Sequence, residues 1–500
     1  MAKKQKSMFS GSEWTFELIN RAYKECEEIA HEELKLDLYP NQIEIISSDQ
    51  MLELYSSVGM PVNYQHWSFG KSFLRDEFNY RKGLSGLAYE IIVNTSPCIS
   101  YLMEENTMTM QTLVLAHAAC GHNSFFKNNY MFKQWTSADS IVDYLMFARD
   151  YILECESRYG RQAVEETLDS CHALSRHGVD RYARSAPLSK EVSRKKQENR
   201  EEQLRKEEND LWRTLPIKNK EVEDHPSTFP SEPEENILYF IEKYSPNLEN
   251  WQREIVRIVR KIAQYFYPQL QTQVCNEGWA SFTHHYIMTR LEEKGLLTGG
   301  QYLEFLQSHT NVVAQRSFDQ KYYNGFNPYW LGFSMFSDMK RIAQNPTKED
   351  EEWFPDIAGQ NWVDVLQDGM KNYRDESFIR QFLSPKMIRE NRLFLIEDKQ
   401  TSDTYGIENI HNESGYRAVR SALAEQNAYH HKFPEIQVID ANMKGDRKLT
   451  LAHYVYDGIL LNDGTNSVLK HLRSLWGYPV TLYCIDANDH KKILKTYDLV

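Results

Sequence analysis

The spacing of apolar residues changes character along this chain, and that change constrains the fold more than any single motif. Over residues 12–185 the spacing is helical: in "SGSEWTFELINRAYKECEEIAHEEL", Trp14, Leu18, Ala22 and Cys26 share one face. The period returns in "NLENWQREIVRIVRKIAQYFYP". There Trp251, Ile255, Ile258, Ile262 and Phe266 form an apolar stripe, Arg253, Arg257 and Lys261 a polar one, and Pro268 is expected to end the helix. Helical segments extend to about residue 395. Beyond that come short alternating runs, "RLFLIED", "EIQVIDANM", "LTLAHYVYDGIL" and "VTLYCIDAND", separated by the helix-like "SGYRAVRSALAEQN" and "NSVLKHLRSLWG".

The expected architecture is mainly α: a large helical domain with a short strand element, zincin-like in one version, plus a small C-terminal α+β domain. Residues 12–186 and 236–395 are expected to complete one core, with 396–500 as the α+β domain. Between them, 187–235 is polar, of mixed charge and then proline-rich, and reads as an insert and linker. At 500 residues, with 13% aromatics, the chain has material for more than one core.

A formal charge of -13 excludes a general attraction to nucleic acid or anionic membrane. The first residues, "MAKKQKSMFSGSEW", contain no apolar signal-like run, and no stretch has the length to span a bilayer, so a cytoplasmic location is expected. Seven scattered cysteines without a C-x-x-C pair read as reduced, small buried hydrophobes rather than as a disulfide framework or zinc knuckle.

The chemistry centres on "LVLAHAACGHNSFFKNNY" (113–130). "GLAYEIIVNTSPCISYL" (86–102) contains a short strand before it, Asn106 or Thr107 can cap the following helix, and Gly121 is suited to end it in a left-handed turn. His117 and His122 are five apart, about 140° of rotation in a regular α-helix, so both reach one ion only if the chain turns back after Gly121. Glu277 and His284, seven apart in "NEGWASFTHHYIM", share a helical side about 10.5 Å apart along the axis. That separation suits two adjacent ions, or one ligand and one outer partner. Asp169 and His172 form a carboxylate-x-x-His on one helical face, and Glu156 stands in the preceding turn region. Each has a plain structural alternative: a histidine such as His309 in "LQSHTNVV" is usually a satisfied core residue, and Glu277 could serve the first turn of its helix. A mixed shell of imidazole and carboxylate suits Zn, with Fe or Mn as alternatives.

The stretches "HAACGHNSFFKNNYMF", "CESRYG…LDSCHALSRHGVDRY", "NEGWASFTHHYIM", "SHTNVV", "GFNPYWLGF", "WFPDIAG" and "YRDESFIRQFLSP" resemble the stage V sporulation protein R (SpoVR) family, in order and from about residue 12 to the C-terminus. The resemblance implies a cytoplasmic bacterial or archaeal protein, linked in spore formers to spore cortex assembly and present in bacteria that do not sporulate. It also implies partnership, in a stress or starvation pathway, with a PrkA-type serine protein kinase and a YhbH/YeaH-like protein. The family's polar motif positions fall on His117, His122, Glu156, Asp169, His172, Glu277 and His284. His285 and Glu154 lie outside the pattern, and Cys120 and Cys171 are positions where relatives carry non-ligating residues.

Three functions follow as expectations. One is a metal-dependent amide hydrolase, with His117, His122, Asp169, His172, Glu277 and His284 as metal ligands and Glu277 or Glu156 as the base, because Ala118 stands where H-E-x-x-H has its glutamate. The second is a non-catalytic assembly or regulatory partner of the kinase and its companion. The third is a di-metal oxidoreductase in a helical bundle.

Overall fold

The computed structural model describes residues 7–57, 59–82, 89–182, 229–316, 325–393, 396–397, 406–407, 412–456, 458–489 and 492–499. Most of the charged insert, up to residue 228, lies outside the described residues. The chain is mainly helical with small sheets, and it divides into two compact units: 1–153 with 265–432, and 154–264 with 433–500. Periodicity places boundaries at 186, 235 and 395; of the described residues, 154–182 and 229–264 group with the C-terminal sheet, and 396–397, 406–407 and 412–432 with the helical unit.

In the first unit, helix α1 (Phe16–Glu32) starts where Thr15 accepts a hydrogen bond from the Leu18 N–H, and it buries Ile19, Ala22, Cys26, Ile29 and Ala30 on the expected face. Strands β1 (Asn41–Ile46), β2 (Glu90–Val93) and β3 (Cys98–Met103) form a sheet in the order β1-β3-β2, with β1 parallel and β2 antiparallel to β3. Helix α2 (Met108–Val114) follows, with Thr107 Oγ1 accepting from the Met110 N–H. The chain then runs without a break through a π-helical segment, Leu115–His122, into a helix over Asn123–Asn128. Helices α3 (Gln273–Glu293), α4 (Gly299–Val312) and α5 (Pro328–Gln344) complete the part of this unit that holds the site.

Helix α3 is buried nearly all round, from Val274 and Trp279 to Met288 and Leu291, so it shows no amphipathic stripe. Its aromatic neighbours include Phe336, 5.3 Å from Trp279, and Phe378, 4.8 Å from Phe336. The helix expected to stop at Pro268 instead runs over Asn250–Gln271. A proline this close to the end removes only one late backbone bond, and its own carbonyl is used by Thr272 Oγ1 at 2.8 Å.

The second unit is built on a sheet of β4 (Glu435–Ala441), β5 (Leu449–Val455), β6 (Val480–Asp486) and β7 (Ile493–Leu499) in sequential order. The β5–β6 pair is parallel and the other two are antiparallel. The parallel crossover is the helix Thr465–Trp476, ended by Gly477 at φ 87°. Strand β7 escaped the sequence reading because only Tyr497 among its residues is buried. Against the crossover helix packs the helix Arg161–Leu174, with Ser170 Oγ 3.1 Å from His471 Nδ1. Glu242, its side chain fully enclosed, receives Arg257 and Arg260, each at 3.0 Å. All seven cysteines are buried and none is in a disulfide, in keeping with small core residues. Among the described residues no helix is long and apolar enough to cross a membrane.

Candidate metal centre

Gly121 does not end a helix. It is buried within the π-helical segment, whose i→i+5 hydrogen bonding sets each residue over the one five places earlier. That spacing turns the unfavourable His117/His122 separation into a shared face: the two Nε2 atoms stand 3.1 Å apart, with ring planes at 86°.

Two close helix contacts bring the third donor. A Cβ on Gly121 would lie 2.7 Å from the Ala280 Cα, and one on Gly278 would lie 2.4 Å from the Gly332 backbone. Glycine is needed at both positions because α3 meets the π-helical segment on one side and α5 on the other at backbone distance. Glu277, next to Gly278, thereby reaches the histidines, with Oε2 3.5 Å from His122 Nε2 and 3.8 Å from His117 Nε2. Among the described residues, His117, His122 and Glu277 form the one group of three or more His, Cys, Asp or Glu donors close enough to hold an ion.

The separations fit the purpose. Ligands about 2.0–2.2 Å from a tetrahedral zinc stand about 3.3–3.6 Å from one another, and the three observed edges run from 3.1 to 3.8 Å. The plain alternative for Glu277, service to the first turn of its helix, fails. That turn is served by Asp375, whose Oδ1 accepts from the Cys275 N–H at 3.0 Å, whereas Glu277 Oε2 is buried and makes no hydrogen bond. A buried carboxylate oxygen without a partner is costly unless a cation or proton meets it.

The histidines are held in the state that ligation requires. Burial first, and then the neighbouring His122, keep His117 well below the usual imidazole range, so it is neutral. His122 Nδ1 meets Asn276 Oδ1 at 2.9 Å, which makes that nitrogen the N–H donor and leaves the Nε2 lone pair facing the site. The thiol of Cys120, in the same segment, is pushed upward by burial and stands near Cys26 of α1, so it remains a core thiol.

Four residues around the group were not singled out as site residues from the sequence. Glu90, at the start of β2, has Oε1 3.8 Å from His117 Nε2; burial, and then the charge of Glu277, push its carboxyl up to about 8. Tyr329 at the start of α5 stacks on His117 at 6.4 Å, and its hydroxyl lies against the Glu277 carboxylate. Asn276 and His309 are the others. Only indirect signals existed: Glu90 opens the β-branched run, Tyr329 lies in "GFNPYWLGF", and Asn276 precedes Glu277.

His284 stands behind His117 rather than beside the donor group, with its Nδ1 2.8 Å from His117 Nδ1. Expected as a ligand, it is not one of the three donors; of the alternatives its seven-residue distance from Glu277 left open, the position behind His117 matches an outer partner. Asp169, His172 and Glu156 belong to the second unit and are absent from the donor group, which lies wholly in the first.

The family model described as "SpoVR like protein" matches residues 13–432, and the one described as "SpoVR-like C-terminal domain" matches 434–487. The junction between them coincides with the change of compact unit after Lys432. The chain is 53% identical over 483 residues to "Uncharacterized protein YcgB" of Escherichia coli (strain K12), covering 96% of this chain and 94% of that protein. No solved structure matches significantly. The chain belongs to the SpoVR family.

Proposed function

We propose that the protein is a cytoplasmic, single-metal hydrolase of amide bonds, acting on peptidoglycan-like precursors in sporulation or a stress response. Zinc is the expected ion, with iron or manganese as alternatives. The observation that carries the reading is the convergence of two imidazoles and a buried carboxylate oxygen without a hydrogen-bond partner at ligand-like separations. Bound there, a divalent ion supplies a Lewis acid that polarises a carbonyl and lowers the pKa of water.

The chain's own residues supply the rest. His117, His122 and Glu277 hold the ion and leave further coordination positions for water and substrate. Glu90, rather than Glu277 or Glu156, is the proton carrier in this reading. Burial and the charge of Glu277 push its carboxyl upward, which suits it to hold a proton, and its Oε1 lies 3.8 Å from His117 Nε2. Tyr329 orients Glu277 and offers a hydroxyl at the same place. A two-metal oxidoreductase lacks this support, because among the described residues neither Asp169 nor His172 is in a donor group.

The test is metal analysis of the purified chain combined with amide hydrolysis of a muropeptide panel. Wild type should carry one zinc equivalent, His122→Ala none, and Glu90→Gln the full equivalent with hydrolysis lost. A wild-type protein that takes up no zinc, iron or manganese overturns the reading.

A second reading, docking of a PrkA-type kinase and a YhbH/YeaH-like protein without catalysis, is favoured by the helix Trp67–Arg81. None of its residues is buried, and Trp67, Leu74 and Phe78 are exposed. Leu74→Glu with Phe78→Glu should abolish co-purification with that kinase if this surface binds it.

A further inference from the structure

The helix Trp67–Arg81 has two faces of different kind. One packs on the helix Ser48–Ser56 and, through Phe69, against Tyr64 and His66 at 5.8 and 5.9 Å. The other meets solvent, where Trp67 is 50% exposed, Leu74 65% and Phe78 57%. Three large apolar side chains left in water on one helix call for a cover.

Their neighbours say what kind. At about 100° per residue, Trp67, Leu74 and Phe78 fall within about 40° of one another. Arg81 borders that strip on one side and Lys71, Lys82 and Arg75 on the other, all four exposed, whereas Asp76 and Glu77 lie outside the arc and are half-buried. The lysines lie along the strip itself: Lys71 Nζ is 6.0 Å from the Trp67 ring and Lys82 Nζ 5.9 Å from the Phe78 ring. Arg75 and Arg81 also meet Asp76 at 2.9 Å and Glu77 at 2.7 Å, exposed pairs that hold little energy and leave both cations able to meet another anion.

We infer that this helix is a peripheral membrane contact that lies along an anionic phospholipid surface, with Trp67, Leu74 and Phe78 entering the headgroup layer and Lys71, Arg75, Arg81 and Lys82 on the phosphates. An aromatic and leucine strip between cationic rims is the pattern of helices that lie in the plane of a bilayer, where the apolar side enters by about 5–10 Å. A protein partner fits it less well, since lysine is depleted at protein interfaces, whereas long cationic stems border an apolar strip readily at a lipid surface. The formal charge of -13 opposes the contact only weakly, because charges more than about 8–10 Å from the lipid are screened. The inference stands independently of the metal reading.

The test uses the full chain and vesicles of equal parts phosphatidylglycerol and phosphatidylcholine, with phosphatidylcholine alone as control. Wild type should sediment with the anionic vesicles, stay in solution with the neutral ones, and be released by high salt. Lys71→Gln with Lys82→Gln should weaken binding about thirtyfold, at about fivefold per cation. Leu74→Glu with Phe78→Glu should abolish it. Anionic vesicles should also slow wild-type amide exchange over residues 67–82 and leave that of α1 unchanged. Failure of the wild type to sediment, equal sedimentation with neutral vesicles, or wild-type binding by Leu74→Glu with Phe78→Glu overturns the inference. If a variant does not fold, wild-type exchange decides, and unchanged exchange over 67–82 overturns it. Capture of the PrkA-type kinase by this helix without vesicle binding assigns the face to a protein instead, and overturns it too.

Discussion

Two helical segments carry paired side chains of the kind that bind metals, and they behave oppositely. Asp169 and His172 in the helix Arg161–Leu174 have the spacing that shares a helical face, yet among the described residues they belong to no donor group of three. His117 and His122 have a spacing that an α-helix spoils, yet they form the centre of one. The helix Arg161–Leu174 buries Val164, Leu168, Cys171 and Leu174, so its packed face is occupied by core residues. The π-helical segment is crossed at backbone distance by a second helix carrying a carboxylate. Spacing within one helix is therefore neither necessary nor sufficient: the site forms where another element delivers the third donor.

The contrast is easiest to break with ligand deletions. His122→Ala or Glu277→Ala should lower zinc affinity, measured by chelator competition, by more than about a hundredfold, beyond the loss typical of outer partners. Asp169→Ala and His172→Ala should leave it unchanged. A zinc loss in the second pair equal to that in the first would erase the distinction.

The close helix contact sharpens it next. Gly278→Ala puts a Cβ 2.4 Å from the Gly332 backbone and should cost about 3 kcal/mol in denaturant unfolding, since neither helix can yield locally. Gly300→Ala, in the first turn of α4, meets nothing within 4 Å and needs no positive φ, so it should be neutral or stabilising by about 0.5 kcal/mol. Equal costs at the two glycines would show that the contact at α3 is looser than described.

Acid separates the units more gently. In the second unit, burial first lowers His177 and His453 to about 4, with Arg181 the next cause at His177. Their folded pKa lies below the unfolded value of about 6.5, so their stabilising contribution is present above that value and is lost as pH falls from 6.5 towards 4. Each should cost about 2 kcal/mol by pH 5, read as faster amide exchange in β5 and β6 of the full chain. Zinc should protect α3 and the π-helical segment over the same range and leave β5 and β6 unprotected. Protection of both units alike would contradict a site confined to the first.

Much of this molecule was legible before its structure. The α1 stripe, the Thr107 cap, the helix Thr465–Trp476 and strands β4 to β6 follow from local period and capping, because each is decided by a few neighbouring residues. Strand β7 was not, since its mostly exposed residues give no alternation to read. Helix α3 was read as a helix, but its burial on every side hid which residues face what. Pro268 misled because a helix tolerates it close to its end.

Of the site, the sequence determined the donor types and three residues of the group, His117, His122 and Glu277, because imidazoles and carboxylates in otherwise apolar helices are conspicuous. Tertiary structure decided the rest. It made the π-helical segment, recruited Glu90 and Tyr329, set His284 and His309 behind His117, and kept Asp169 and His172 in another unit. The physical reason is range. Periodicity and capping act within a turn or two of helix, whereas these side chains meet through backbone contacts between segments 54 to 159 residues apart (Gly278 to Gly332 and Gly121 to Ala280), where the absence of a Cβ on Gly121 and Gly278 matters as much as the ligands themselves.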